Sequence, residues 1–168
     1  MVDSAVGAVI NSSKFYNTSN AGLIGIHADV DATNCLFYNN GSNAVRFIYG
    51  GDYNFTYCTL ASYGVDAAAL SMTNFNCFQT NDIGQCILCD EYPLDANFKN
   101  SIIFGSRKDE ITMFDGDECN EGQMSLITYT FEDCIVRVDD GLLVDDGFGE
   151  FFDHCNPCQN ADNNDVVF

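Results

Sequence analysis

The sequence predicts an all-β fold, a right-handed parallel β-helix, and three observations predict it. One composite pattern recurs at nearly constant spacing. Short strand-like runs alternate with turn residues, and no stretch of ten or so residues carries the 3.6-residue apolar period of an amphipathic helix.

The recurring pattern is apolar, two mostly polar residues, a small Ser or Cys, any residue, apolar. It reads Ile10-Asn11-Ser12-Ser13-Lys14-Phe15 and Ala32-Thr33-Asn34-Cys35-Leu36-Phe37, then Phe55-Thr56-Tyr57-Cys58-Thr59-Leu60. It returns as Phe98-Lys99-Asn100-Ser101-Ile102-Ile103 and Phe131-Glu132-Asp133-Cys134-Ile135-Val136. Between successive small residues the steps are 22, 23, 43 and 33 residues. The first two set the period, and the longer ones read as a coil plus an insertion of roughly 20 and roughly 10 residues. Cys77 falls in the long gap, but Asn74 and Gln79 flank it where apolar residues belong, so it is not a further copy. The chain is therefore a single domain, 1–168, of about six coils. Its repeats cover about 9–137, its insertions lie near 76–93 and 115–125, and a tail runs over 138–168.

Strand geometry explains the pattern. The small residue and the apolar residue two places on share one face, because strand side chains alternate. The first apolar residue lies an odd number of places back and would point outward from a straight strand. A bend at the Asn, Asp or Ser of the pattern turns it inward. Cys35, Cys58 and Cys134 share their slot with Ser13 and Ser101, which marks a small buried position and not a reactive one. Further strands fall at 23–28, 45–49, 68–73 and 111–114. Turn signals separate them at Asn39-Asn40-Gly41, Gly50-Gly51-Asp52 and Ser62-Tyr63-Gly64. A β-sandwich would explain short strands but not the 22-residue spacing.

Composition narrows the functional classes. The chain has 46% hydrophobic residues, with 14 Phe and 8 Tyr, which supply a core of ordinary size. Its 25 acidic and 6 basic residues give a net charge of −19, which repels phosphate and excludes nucleic-acid binding. Anionic membrane surfaces are disfavoured on the same ground. No apolar run approaches the ~20 residues of a membrane span, so no membrane insertion is expected. The N-terminus has no basic segment ahead of an apolar one and is not a signal peptide.

The repeats resemble those of right-handed parallel β-helix proteins of the pectate-lyase-like superfamily, and in particular large secreted β-helix proteins of Bacteroidetes-type bacteria. Tyr53-Asn54-Phe55-Thr56-Tyr57-Cys58-Thr59-Leu60 and Phe98-Lys99-Asn100-Ser101-Ile102-Ile103-Phe104-Gly105 carry the resemblance. It implies a secreted or cell-surface setting, with any signal outside this chain. It leaves activity open, because that fold hosts lyases, hydrolases, epimerases, tailspikes and adhesins.

Two constellations are candidates for chemistry. Asp29 and Asp31 share a strand face, Asp52 follows in a turn, and Arg46 lies about a coil later pointing outward. Pectate-lyase relatives use acidic residues for Ca²⁺ and an Arg or Lys as base, so Asp29, Asp31 and Asp52 are candidate Ca²⁺ or carbohydrate ligands and Arg46 a candidate base. The polygalacturonase-like branch is excluded, because its Gly-His-Gly element is absent; the only histidines are His27 and His154. Cys86-Ile87-Leu88-Cys89 and Cys155-Asn156-Pro157-Cys158 have the spacing of zinc ligand pairs, and of disulfide-forming cysteines in a secreted chain. Disulfides or free thiols are the expectation.

The functional expectation is a non-catalytic surface module, carbohydrate-binding, adhesive or structural, whose partner is a polysaccharide or surface glycan. The alternative is a Ca²⁺-dependent lyase-like enzyme acting on uronate polysaccharides. Because the first repeat starts at Val9-Ile10 and residues 163–168 read as a strand, the expectation is either a segment of a longer protein that supplies the caps or end-to-end self-association of copies.

Overall fold

The computed structural model describes residues 1–63, 67–84, 86–116, 125–138 and 154–161. Among these residues the chain is all-β, and no helix is long and apolar enough to cross a membrane.

The chain visits three parallel sheets in turn. The first contains β1 (Val2–Asp3), β4 (Leu23–Ile26), β7 (Val45–Ile48), β10 (Leu70–Thr73) and β15 (Ile111–Phe114), hydrogen-bonded in that order. The second contains β2 (Ala8–Asn11), β5 (Val30–Thr33), β8 (Gly51–Thr56), β13 (Leu94–Lys99) and β16 (Ile127–Glu132). The third contains β3 (Lys14–Tyr16), β6 (Leu36–Tyr38), β9 (Thr59–Ser62), β14 (Ile102–Gly105), β17 (Cys134–Val136) and β18 (Cys158–Asn160). Each strand pairs in parallel with the strand one circuit later, the arrangement of a parallel β-solenoid. β4, β7, β10 and β15 fall within the segments the sequence marks as further strands, whereas β1 lies ahead of the first expected repeat. Among the described residues the one antiparallel pair, β11 (Phe75–Thr80) with β12 (Cys86–Glu91), is inserted between β10 and β13.

Register turns the repeat into columns. Ile10, Ala32, Phe55, Phe98 and Phe131 stack on one another, as do Phe15, Phe37, Leu60, Ile103 and Val136. Phe15 and Phe37 stack near-parallel with centroids 4.9 Å apart, as do Phe98 and Phe131 at 5.1 Å, while Phe55 is tilted against Phe98 at 5.3 Å. Such pairs add to the burial of their area. The first sheet contributes Leu23, Val45, Leu70 and Ile111, and beside them Phe47, which stacks on Tyr53 at 3.6 Å. Gly25 leaves room for that Tyr53 ring: a Cβ there would lie 2.5 Å from it. The Tyr53 hydroxyl donates to the Gly50 carbonyl at 3.1 Å, and burial pushes its pKa up to about 12.

The bend between second- and third-sheet strands is made by one left-handed residue per circuit: Ser12, Asn34, Tyr57, Asn100 and Asp133, with φ between 49° and 56°. Asn and Asp tolerate that conformation best. Tyr57 departs from the expected residue types, and its ring projects into solvent. The small residue that follows reaches two carbonyls at once. Cys58 Sγ donates to Thr56 O at 3.4 Å and Ala32 O at 3.5 Å, while Ser101 Oγ sits on Lys99 O at 2.9 Å and Phe55 O at 3.4 Å. Cys35 and Cys134 repeat the arrangement. A longer side chain would meet those carbonyls, which is why only Ser and Cys occupy the slot.

Two expectations need correction. Asp52 is not in a turn: β8 begins at Gly51, and Asp52 lies on its exposed face. Gly50 and Gly51 have φ of 76° and 117°, and a Cβ on Gly51 would collide with the Ala28 carbonyl, so the corner is tight and the strand resumes at once. Cys158 belongs to the small-residue column, in register with Cys134. Its Sγ donates to Phe131 O at 3.4 Å. The expected insertion near 115–125 lies outside the described residues at 117–124, as does the tail except for 138 and 154–161.

Candidate functional site

Alternation along the second sheet directs every other residue outward. Register then sets those outward residues in rows. Val9, Asp31, Asn54, Asn97 and Thr130 form one row. Asp52, Asp95 and Thr128 form another, which Asp29 joins because it precedes Val30, the partner of Tyr53. A third holds Asn11, Thr33, Thr56, Lys99 and Glu132, the last two ion-paired at 2.7 Å.

Hydrogen bonds knit the first row across circuits. Asn54 Nδ2 donates to Asp31 at 3.0 Å, and Asn97 Nδ2 to Asn54 at 3.3 Å and to Asp95 at 2.9 Å. Thr130 Oγ1 donates to Asn97 Oδ1 at 2.6 Å. These bonds hold the side chains in fixed rotamers and leave the remaining donor and acceptor positions facing solvent.

An aromatic border flanks this face at the corner before the second sheet. His27 Nδ1 lies 3.2 Å from Tyr49 O, and the His27 and Tyr49 ring centroids are 4.5 Å and 4.7 Å from that of Tyr92. Desolvation and a hydrogen bond with Tyr92 push the Tyr49 phenol above its ordinary pKa. At the other end, a groove of about 480 Å³ opens among Asp95, Asn97, Thr128, Thr130 and His154. The His154 ring lies 4.7 Å from that of Tyr129. A face of evenly repeated carboxylate, amide and hydroxyl groups beside aromatic rings suits a polymer of hydroxyl-bearing rings: its hydroxyls both donate and accept, and its C–H faces pack on aromatics.

The structure brings Asp29, Asp31 and Asp52 onto this face. Arg46 it places elsewhere, on the outer side of the first sheet, in register with Ile24 and Ser71. Among the described residues no three His, Cys, Asp or Glu side chains converge on a point that could hold a metal ion. The two C-x₂-C pairs are not brought together. Cys86 is disulfide-bonded to Cys77 on the hairpin, and Cys89 is disulfide-bonded too. Cys155 and Cys158 are free: Cys155 bridges to Phe131 at the end of the second sheet, and Cys158 lies opposite Cys134 at the end of the third.

Asn54, Asp95, Asn97 and Thr130 were not singled out from sequence, although a signal existed. Each row member Val9, Asp31, Asn54, Asn97 and Thr130 immediately precedes the repeat's first apolar residue, so the row advances by the steps of the repeat itself. Tyr49 and Tyr92 have no such signal, because the hairpin breaks the spacing between them.

The chain matches no family model, no curated protein and no solved structure.

Proposed function

We propose that the chain is a right-handed parallel β-helix module of about six coils, secreted or displayed at a cell surface, that binds extended glycans without cleaving them. The outer face of the second sheet carries this reading, through the hydrogen-bonded row from Asp31 to Thr130 with the aromatic border alongside. A row that repeats once per circuit presents equivalent contacts about every 4.8 Å, and a repeating ligand meets it with many weak contacts at once. Groups already fixed by one another lose little further freedom on binding.

Affinity electrophoresis and calorimetry against neutral, uronate and amino-sugar polysaccharides, with and without Ca²⁺, test the proposal. Binding to at least one polymer is expected, with a loss of about tenfold in Asn97→Ala/Tyr92→Ala, an effect the size of a binding hot spot. Retardation by none of the polymers, or unchanged binding by the variant, would overturn it. Ultraviolet-absorbing unsaturated product from a uronate polymer, dependent on Ca²⁺ and lost in Arg46→Ala, would establish the lyase-like alternative.

A further inference from the structure

The outer face of the third sheet differs in charge from that of the second, and the glycan reading makes no use of it. Register sets Lys14, Leu36, Thr59, Ile102 and Ile135 in one outward row, and Tyr16, Tyr38, Ala61 and Phe104 in the next. Neither row contains a carboxylate, in a chain with 25 acidic residues. Across the first three circuits this face forms a groove of about 310 Å³, whose lining includes Ser12, Lys14, Asn34, Leu36, Tyr57 and Thr59. Lys14 is exposed and, among the described residues, has no ion pair. It sets the sign of the potential within the groove.

Three features say what fits there. Ser12 Oγ accepts from Asn34 Nδ2 at 3.2 Å, which leaves the Ser12 hydroxyl hydrogen and the second Asn34 amide hydrogen to donate. With the Lys14 ammonium they make a donor set for an ester oxyanion, which offers three acceptor oxygens and is bound by Lys as a point charge. Tyr57 has φ of 56° where the other bends carry Ser12, Asn34, Asn100 and Asp133, and its ring is 62% exposed. A left-handed backbone disfavours so bulky a residue, and strain of this kind concentrates at ligand sites. On the other side of Lys14, Tyr16 stacks on Tyr38 with ring centroids 5.2 Å apart. Aromatic rings on both sides of the cation give the C–H face of a sugar surfaces to pack against. Lys14 and Tyr57 stand two circuits apart, roughly 10 Å along the solenoid at the spacing of paired strands, which leaves room for one ring between them. We propose that this groove binds a sugar ring bearing a sulfate or phosphate ester, with the ester on Lys14, Ser12 and Asn34 and the ring against Tyr57. That the ring is a sugar rests on the glycan reading; that it bears an oxyanion rests on this face.

The test titrates the isotope-labelled full chain with glucose 6-sulfate, glucose 6-phosphate and glucose, and follows amide chemical shifts. At least one ester should bind about fivefold or more tighter than glucose and move the signals of 12–14, 34–36 and 57–59; the tighter ester names the source. Lys14→Gln should lower that affinity by about fivefold or more. Tyr57→Asn should also lower it, yet raise the urea midpoint, because Asn tolerates the left-handed bend. No binding by either ester, shifts confined to the second sheet, equal affinity for glucose, unchanged affinity in either variant, or a midpoint that falls in Tyr57→Asn would each overturn the proposal. Polymer retardation without ester binding would remove this site and leave the glycan reading standing.

Discussion

Phe55 and Phe15 occupy neighbouring interior columns at very different depths, and replacing each by Ala should separate the middle of the solenoid from its first circuit. Phe55 has no exposed surface, and its ring centroid lies 6.0 Å from Phe37, 5.6 Å from Phe47 and 5.3 Å from Phe98. Circuits on both sides cover it, so Phe55→Ala leaves a cavity and should cost about 3–5 kcal/mol. Against a domain stability of about 5–15 kcal/mol that is a large fraction. Phe15 is half-buried, stacked on Phe37 at 4.9 Å. Water fills the space its ring leaves, so only part of the transfer free energy is lost, about 1 kcal/mol. Urea unfolding followed by far-UV circular dichroism gives both values from midpoint and slope. Equal losses in the two variants, or a loss under about 1 kcal/mol for Phe55→Ala, would refute the argument that columns stabilise this fold from the middle outward.

Three further outcomes follow from the geometry. A Cβ on Gly105 would collide with the Ser62 carbonyl and the buried Glu110 carboxylate, so Gly105→Ala should destabilise by about 2 kcal/mol or more in the same urea experiment. Burial pushes the Cys58 and Cys134 thiols up to about 11 from an ordinary 9.0. The folded state therefore holds protons that the unfolded state releases: this stability is fully present below about pH 9 and is lost as pH rises through about 11, visible as a falling urea midpoint that Cys58→Ala makes shallower. Cys77→Ser/Cys86→Ser removes a crosslink over a sequence separation of 9, worth about 2.5 kcal/mol of loop entropy, but only to the hairpin. Limited proteolysis should cut faster within 75–91 while the solenoid's unfolding midpoint stays in place.

The solenoid was legible because its physics repeats. The slot of Cys35, Cys58, Ser101 and Cys134 is constrained by the carbonyl two residues back and one from the preceding circuit, and Ser13 in the first circuit reaches the corresponding Asn11 carbonyl, so the same residue types return at the circuit's length. Cys158 went unread for a physical reason: the residue two places on is Asn160, which hydrogen-bonds both Val138 N and Val138 O where the earlier copies place an apolar side chain. Asp52 was misplaced because Gly50-Gly51 looks like a chain reversal, whereas two left-handed glycines here make only a corner. Of the candidate site, Asp29, Asp31 and Asp52 were found as acidic residues, but the face to which they belong depends on pairing across circuits. Arg46 was grouped with them through closeness in sequence, and it belongs to a different sheet. The aromatic border depends on Tyr92, brought back beside Tyr49 only after the hairpin has left and returned.

That departure and return is itself instructive. Tyr92 N donates to Asn74 O at 2.8 Å, so the chain leaves the wall and re-enters it at adjacent points. Asn74 is wholly buried there, its amide bonded to Asp115 at 2.6 Å and to the Gly116 N–H at 2.9 Å. The second sheet resumes with Leu94 opposite Gly51 as though nothing had intervened. The wall is therefore indifferent to what hangs from this gate, since longer cargo adds only a slowly growing loop-closure cost. A lineage could exchange one appendage for another at this position, and an engineer could graft a foreign epitope there, without touching a single rung of the interior.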